Sequence, residues 1–259
     1  MPASVSVGVS LKMYFGHADA RRWLERVAEL AARHPGVVDG RVECFVIPTY
    51  VQVLPAIEAF RGTRVVIGAQ DVATEDAGAY TGEVSAAELA EVGVRLAEVG
   101  HAERRRLFGE SEEVVAAKTA AALRNGLTPV LCLGESERLE ATDAAAEVVR
   151  QLHAALNSAP AGRVIVAYEP VWAIGAPEPA PADHIAIVAS ALRDAVDALD
   201  DRDDSTVIYG GSAGPGLLTR LGEAVDGLFL GRFAHDPAAL ADVLDEAAAL
   251  ADRRAGVVA

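Results

Sequence analysis

Lysine is nearly missing from this chain. Of its 23 basic residues only Lys12 and Lys118 are lysines, and arginine supplies the rest. In such a chain a lysine at the end of an apolar run is a specific choice, because a compact ammonium and a planar guanidinium do different work. Cysteine is equally scarce. Cys44 and Cys132 both lie in apolar, strand-like runs, which suits buried reduced thiols and a cytoplasmic location. Basic charge as a whole is outweighed, giving a net charge of −15. That argues against nucleic acid or an anionic membrane as partner, since both demand basic surfaces. An anionic small substrate remains open, provided its cation is local. No apolar run is long enough to span a bilayer, and the first residues lack the charged and apolar blocks of a signal peptide.

What is present is a repeated alternation. A chain of 259 residues, 51% of them hydrophobic, matches one (β/α)8 barrel in length and can bury a substantial core. Short β-branched runs read as strands at Val5–Leu11, Glu43–Pro48, Arg64–Gln70, Leu96–His101, Thr128–Glu135, Arg163–Glu169, Thr206–Ser212 and Gly227–Arg232. Helices are expected over Ala18–Arg33, Val51–Phe60, Ser85–Val92, Ser111–Asn125, Ser136–Leu156, Ala182–Leu199, Pro215–Leu221 and Asp236–Ala251. Ser85 with Glu88 forms a capping-box pattern, and Asn125–Gly126 a helix stop. Eight strand–helix units with no linker predict a single α/β domain over 1–259. Periodicity alone fits an open doubly wound sheet as well as a closed barrel; the motifs favour the barrel.

The candidate chemistry sits at the predicted carboxyl ends of strands, where barrel enzymes build their sites. Lys12 follows the first strand, His101 the fourth and Glu169 the sixth. Tyr209–Gly210–Gly211–Ser212 follows the seventh and Leu230–Gly231–Arg232 the eighth. Glu169 is followed by Pro170, which cannot donate to a ladder, then by Trp172 and Gly175 in a loop able to cover it. Each residue alone has an ordinary structural explanation. Their joint placement on one rim does not. No His, Cys or Asp cluster has metal-site spacing, so neither a metal nor an organic cofactor is expected.

The string Ala167–Tyr168–Glu169–Pro170–Val171–Trp172–Ala173–Ile174–Gly175 resembles the catalytic-base motif of the triosephosphate isomerase family. Gly68–Ala69–Gln70, Tyr80–Thr81–Gly82–Glu83, His101 with Glu103–Arg104–Arg105, Leu131–Cys132–Leu133–Gly134–Glu135 and Tyr209–Gly210–Gly211–Ser212 extend the resemblance over nearly the whole chain. It implies an aldose–ketose phosphate isomerase of carbohydrate metabolism that interconverts dihydroxyacetone phosphate and glyceraldehyde 3-phosphate through an enediolate. Glu169 would be the base, His101 the neutral electrophile and Lys12 the charge-balancing cation. Ser10, Gly175, Ser212, Gly231 and Arg232 would contact substrate or its phosphate. Glu103 would orient Lys12 through an ion pair, and Trp172 would belong to a lid running through Ala180. The loop 70–85 would insert into a second subunit, making a homodimer. The chain departs from the family at Ser10, usually Asn, at Leu11, Tyr14 and Ala102, at Gly231–Arg232, usually a glycine pair, and in the lid sequence Ala176–Pro177–Glu178–Pro179–Ala180. These are positions that set substrate size, so a four-carbon ketose phosphate such as an erythrulose phosphate is the alternative substrate. A phosphate-binding barrel with lyase chemistry and a non-catalytic sugar-phosphate-binding barrel are the further alternatives.

Overall fold

The computed structural model describes residues 5–256, so both ends of the predicted 1–259 domain lie outside the described residues. Eight strands hydrogen-bond in chain order and the eighth returns to the first. They are β1 (Val5–Ser10), β2 (Val42–Ile47), β3 (Val66–Ala69), β4 (Leu96–Val99), β5 (Thr128–Leu133), β6 (Ile165–Tyr168), β7 (Thr206–Tyr209) and β8 (Gly227–Leu230). All pairings are parallel. The fold is the (β/α)8 barrel, and closure removes the open doubly wound sheet.

Alternation along each strand divides the core in two. Phe45, Ile47, Leu96, Val130, Cys132, Ile165, Ala167, Ile208 and Phe229 form one buried cluster inside the barrel. Strand residues of the opposite parity, among them Val7, Val9, Cys44, Val46, Val99, Leu131, Val166 and Val207, join a second cluster shared with the surrounding helices. Both cysteines are unpaired and buried. Inside the barrel the Phe45 ring needs room that β1 supplies by having Gly8 opposite it: a Cβ on Gly8 would overlap the ring. Phe45 then meets Phe229 at a centroid distance of 5.8 Å.

The amino-terminal end of the barrel is closed by charge. Arg163, just ahead of β6, reaches Glu43 on β2 through two parallel hydrogen bonds of 2.6 and 2.5 Å, and Ser6 of β1 donates to the same carboxylate at 2.8 Å. Burial works to raise the Glu43 pKa, but the guanidinium outweighs it and holds the carboxyl below its ordinary value. The catalytic candidates lie at the other end.

Most predicted helices are found with shifted ends. Ser85 caps Ala86–Val92 by accepting from the Glu88 N–H at 3.1 Å, and Gly126 follows the Asn125 cap with a φ of 74°. The helix predicted from Ser136 begins at Ala141. Two short helices, Pro35–Val38 and Ala102–Phe108, were not anticipated. Among the described residues no helix is long and apolar enough to cross a membrane.

Gly8→Ala is expected to lower stability by about 1–3 kcal/mol, the usual cost of overpacking a filled core, read as a reduced urea midpoint. Phe45→Leu in the same chain should recover part of that loss. Equal midpoints for Gly8→Ala and the parent would contradict the placement of the ring.

Candidate active site

Three strand ends deliver the ionisable groups. Lys12, two residues past β1, has a φ of 47°, a left-handed backbone conformation unfavourable for a residue with a side chain. Gln70, just past β3, holds it there: its Nε2 donates to the carbonyl oxygens of Lys12 at 3.0 Å and Ile47 at 3.2 Å. On the far side of β4, His101 caps the helix Ala102–Phe108, its Nδ1 accepting from the Glu103 backbone N–H at 3.1 Å. A neutral imidazole whose Nδ1 accepts carries its proton on Nε2. Past β6, the Glu169 backbone N–H donates to Leu133 at 2.7 Å, and Pro170 then ends the ladder. Gly210 leaves the carboxylate room, since a Cβ there would stand 2.8 Å from Glu169 Oε1.

These side chains converge. Lys12 Nζ is 2.8 Å from His101 Nε2, and Glu169 Oε2 is 3.6 Å from the same nitrogen. A third carboxylate joins them: Glu98, on β4, accepts from Ser10 Oγ at 2.8 Å and lies 3.9 Å from His101 Nε2. His101, Glu98 and Glu169 are all buried.

Burial sets the ionisation. It pushes the Glu169 carboxyl up to about 8; the nearby Glu98 adds to the shift, and Lys12 and the Cys132 thiol oppose it. The same desolvation, with Lys12 and Arg104 nearby, brings His101 down to about 3. Glu98 is also raised by burial, against the pull of Lys12. For Lys12, burial disfavours the charge, but Glu98, Glu169 and Glu103 outweigh it and raise its pKa. The chamber therefore holds a firm ammonium, a neutral imidazole and a carboxylate able to bind a proton near neutral pH. Lys12 Nζ and His101 Nε2, 2.8 Å apart, converge on one small volume, where a ligand oxygen placed between them could accept from both. Glu169 Oε2 has no hydrogen-bond partner among the described residues.

A cavity of about 480 Å³ opens above this group. Ser10, Lys12, His101 and Glu169 line its floor, and Gly175, Ser212, Gly231 and Arg232 its upper wall. The cover, from Pro170 to Ala180, is fixed at both ends. Trp172 Nε1 donates to Glu135 Oε1 at 2.8 Å, and Tyr168 donates to the same oxygen at 3.1 Å. At the other end the Ala180 N–H donates to the Tyr209 hydroxyl at 3.0 Å.

All the predicted site residues except Trp172 line the cavity, and Trp172 anchors its cover. One predicted contact is different. Glu103 makes no ion pair with Lys12; its carboxylate lies 3.7 Å from His101 Nδ1, and its backbone N–H orients the ring. Glu98, which exerts the strongest pull on Lys12, was missed, although a lone carboxylate inside the apolar run Leu96–Val99 was the available signal. Lys118, the second lysine, is structural. Its ammonium lies 2.6 Å from both Asp71 and Glu110, and Arg104 bridges the same two carboxylates at 2.8 and 2.6 Å. Asp71 follows Gln70, so this quartet steadies the residue that holds Lys12. Among the described residues no group of three or more His, Cys, Asp or Glu is placed to hold a metal ion.

A barrel with a proton-accepting carboxylate, a neutral imidazole and an ammonium at its carboxyl-terminal mouth is built for proton transfer. The triosephosphate isomerase family model matches residues 5–247. The chain is 49% identical over 253 residues to the L-erythrulose-1-phosphate isomerase of Pectobacterium atrosepticum, covering 96% of this chain and 98% of that one. It is 38% identical over 233 residues to the triosephosphate isomerase of Cutibacterium acnes, covering 85% and 89%. The crystal structure of triosephosphate isomerase from Bartonella henselae superposes with a TM-score of 0.80 at 26% identity, covering 93% of this chain and 98% of that one. The chain belongs to the triosephosphate isomerase family and is a sugar-phosphate isomerase. The lyase and non-catalytic alternatives are set aside.

An unfolded Glu169 would titrate near 4.5, the folded one near 8. Between those values the folded chain keeps a proton that the unfolded chain releases, so this group's contribution to stability falls as pH rises from about 4.5 to about 8. Glu169→Gln, which cannot ionise, should gain thermal stability over the parent at pH 9 and little at pH 4.5. Its turnover should fall by roughly 10²–10⁴ or more. Melting curves across pH check this; a Tm difference that does not grow with pH would contradict a desolvated carboxyl.

Proposed function

We propose that the chain isomerises L-erythrulose 1-phosphate, moving its carbonyl from C2 to C3 through an enediolate, with Glu169 as the base. The observation that carries this is Glu169 Oε2, without a hydrogen-bond partner among the described residues, lying beside His101 Nε2 and the Lys12 ammonium in one desolvated chamber. The similarity to an L-erythrulose-1-phosphate isomerase across almost the full length of both chains supports the substrate.

The chemistry follows from the substrate's own atoms. C1 carries a phosphate ester, so only C3 offers a hydroxyl-bearing carbon beside the C2 carbonyl. Glu169 takes the C3 proton, the C–H electrons form the C2–C3 double bond, and the carbonyl pair moves onto O2. Lys12 and His101 stabilise that oxygen in a site where water does not screen them. Protonating O2, removing the O3 proton and returning the Glu169 proton to C2 gives the 3-ketone, which is erythrulose 4-phosphate when numbered from its other end. No atom is gained or lost, and no cofactor is required. The product is thus a second ketose rather than an aldose.

The backbone N–H groups of Gly175, Ser212 and Gly231 have no protein acceptor among the described residues and are assigned to the phosphate. The cover over 170–180 excludes water, which strengthens these interactions and protects the enediolate. Ser10 supports the larger substrate. Its short side chain is turned to Glu98 and leaves space beside Lys12 for the extra hydroxymethyl group. Dihydroxyacetone phosphate, placed first on sequence grounds, is the second reading; the similarity to the Cutibacterium acnes triosephosphate isomerase favours it, at lower identity.

The same reading includes a homodimer. The loop 70–85 is closed at its base by the Ala73 N–H donating to Val84 at 2.8 Å, and Tyr80 at its tip is 49% exposed. Met13, beside Lys12, is 90% exposed; a partner's loop would cover it. Buried, unpaired cysteines fit the cytoplasm.

Turnover of erythrulose 1-phosphate and dihydroxyacetone phosphate, each with chelator present, tests the assignment. The four-carbon ketose is expected to have the higher kcat/KM, with solvent deuterium entering at carbon and no C–C cleavage. Ser10→Asn should narrow that preference by about 10-fold, the scale of one misfitting group in a pocket. A preference for the triose phosphate would overturn the substrate. Light scattering should show a dimer; full activity in a monomer would refute the role given to loop 70–85.

A further inference from the structure

Glu98 is a buried carboxylate of the site with no step of its own in the reaction. It points into the bore of the barrel: Leu96, two residues earlier on β4, belongs to the inner cluster, and side chains alternate along a strand. Burying a charge there is costly unless a cation meets it. Among the described residues no lysine or arginine forms a salt bridge with Glu98. Its contacts are Ser10, whose Oγ donates to Oε2 at 2.8 Å, and the neutral His101, whose Nε2 lies 3.9 Å from Oε1. β1 and β4 are not neighbours in the barrel, so the Ser10–Glu98 bond spans the bore, and the strand ladders close without it.

The isomerisation moves a hydroxyl proton as well as a carbon-bound one. O3–H must be lost while O2 gains a proton. At that moment Glu169 already holds the proton taken from carbon. The Lys12 ammonium can only donate. His101 meets O2 through Nε2, and its Nδ1 is occupied by the Glu103 N–H. Ser10, also on the cavity floor, is left. Its hydroxyl proton is turned to Glu98, so its oxygen can accept from a substrate hydroxyl. An alcohol needs a base behind it to do this work. Burial raises the Glu98 pKa, against the pull of Lys12 and the Ser10 hydrogen bond, which makes its carboxylate a readier proton acceptor.

We infer that Ser10 and Glu98 form a second proton relay, which carries away the O3 proton and so lets the enediolate go forward to product. The inference rests on the isomerase reading above. Ser10 Oγ takes the O3 proton as it gives its own to Glu98 Oε2. The electron pair left on O3 forms the C3 carbonyl, and the C2–C3 double-bond pair takes the Glu169 proton at C2. His101 gives its Nε2 proton to O2. When product has left, a half-turn of the Glu98 carboxyl returns the held proton to that nitrogen, and every group ends as it began. Glu98 itself touches no substrate. It is a positioning residue that aims the Ser10 hydroxyl and receives its proton.

Erythrulose 1-phosphate in deuterium oxide separates the two halves of the reaction on the full chain. Deuterium entering at C3 of recovered substrate reads enediolate formation, which needs Glu169, Lys12 and His101. Product formation needs the relay as well. Glu98→Gln keeps an acceptor for Ser10 but takes no proton. Its product formation should fall by roughly 10²–10⁴, while deuterium uptake falls much less, so that the ratio of exchange to turnover rises at least about 10-fold. Ser10→Ala cuts the link and leaves the Glu98 charge beside Lys12; it should raise the same ratio. If Glu98 served only to set the charge of Lys12 and Glu169, both halves would fall together. An unchanged ratio in either variant, whatever the drop in rate, overturns the relay while the active parent keeps the isomerase reading. A parent that neither takes up deuterium nor forms product overturns both.

Discussion

The attraction between one half-buried ammonium and the carboxylates around it governs this site. Glu98, Glu169 and Glu103 favour the charged form of Lys12 and outweigh the burial that would neutralise it. Removing one member of such a group leaves an uncompensated charge in a dry place, which costs far more than the intact set contributes. His101 is the neutral member. Its burial and the neighbouring cations Lys12 and Arg104 keep it from gaining a proton, so it donates from Nε2 without adding charge. A strongly acidic chain thus builds a cavity suited to an anion from very few cations, each placed individually.

The scaffold restrains these groups in tiers. Gln70 fixes the strained backbone of Lys12; Asp71, Lys118, Arg104 and Glu110 tie the segment carrying Gln70 to the segment that follows His101. The start of the helix Ala102–Phe108 orients the imidazole through the Glu103 backbone N–H, which substitutions other than proline leave in place. On the opposite side Glu135 and Tyr209 grip the two ends of the cover. The two lysines illustrate the division of labour: one faces the cavity, and the other is sealed into the wall that positions it.

Much of this was legible in the residues. β-branched runs bounded by charges and glycines marked all eight strands, and the spacing of Lys12, His101 and Glu169 placed them on one rim. The strands were read too long at their carboxyl ends. His101, Glu169 and Ser212 were included in them, whereas the chain leaves the ladder at Val99, Tyr168 and Tyr209 so that these residues can turn toward the mouth. The helix after His101 was missed because its cap is an imidazole rather than Ser, Thr, Asp or Asn. Glu98 was hidden because inward and outward positions of a four-residue strand cannot be told apart until the barrel closes. The Lys118 quartet joins residues from three separate segments, and no local pattern announces it. Glu103 was assigned to Lys12 as an ion-pair partner on the resemblance, but it is its backbone N–H, bonded to His101 Nδ1, that the site uses.

The pairing of Glu43 with Arg163 has a consequence for traffic through the molecule. With the amino-terminal end of the barrel stoppered by an ion pair and the middle filled by Phe45 and Phe229, the chamber is a blind well. Solvent and sugar must share a single doorway, so whatever enters has to push water back out along its own path. Drying and occupation then become one event, and how completely the well empties depends on how closely the guest fills the entrance.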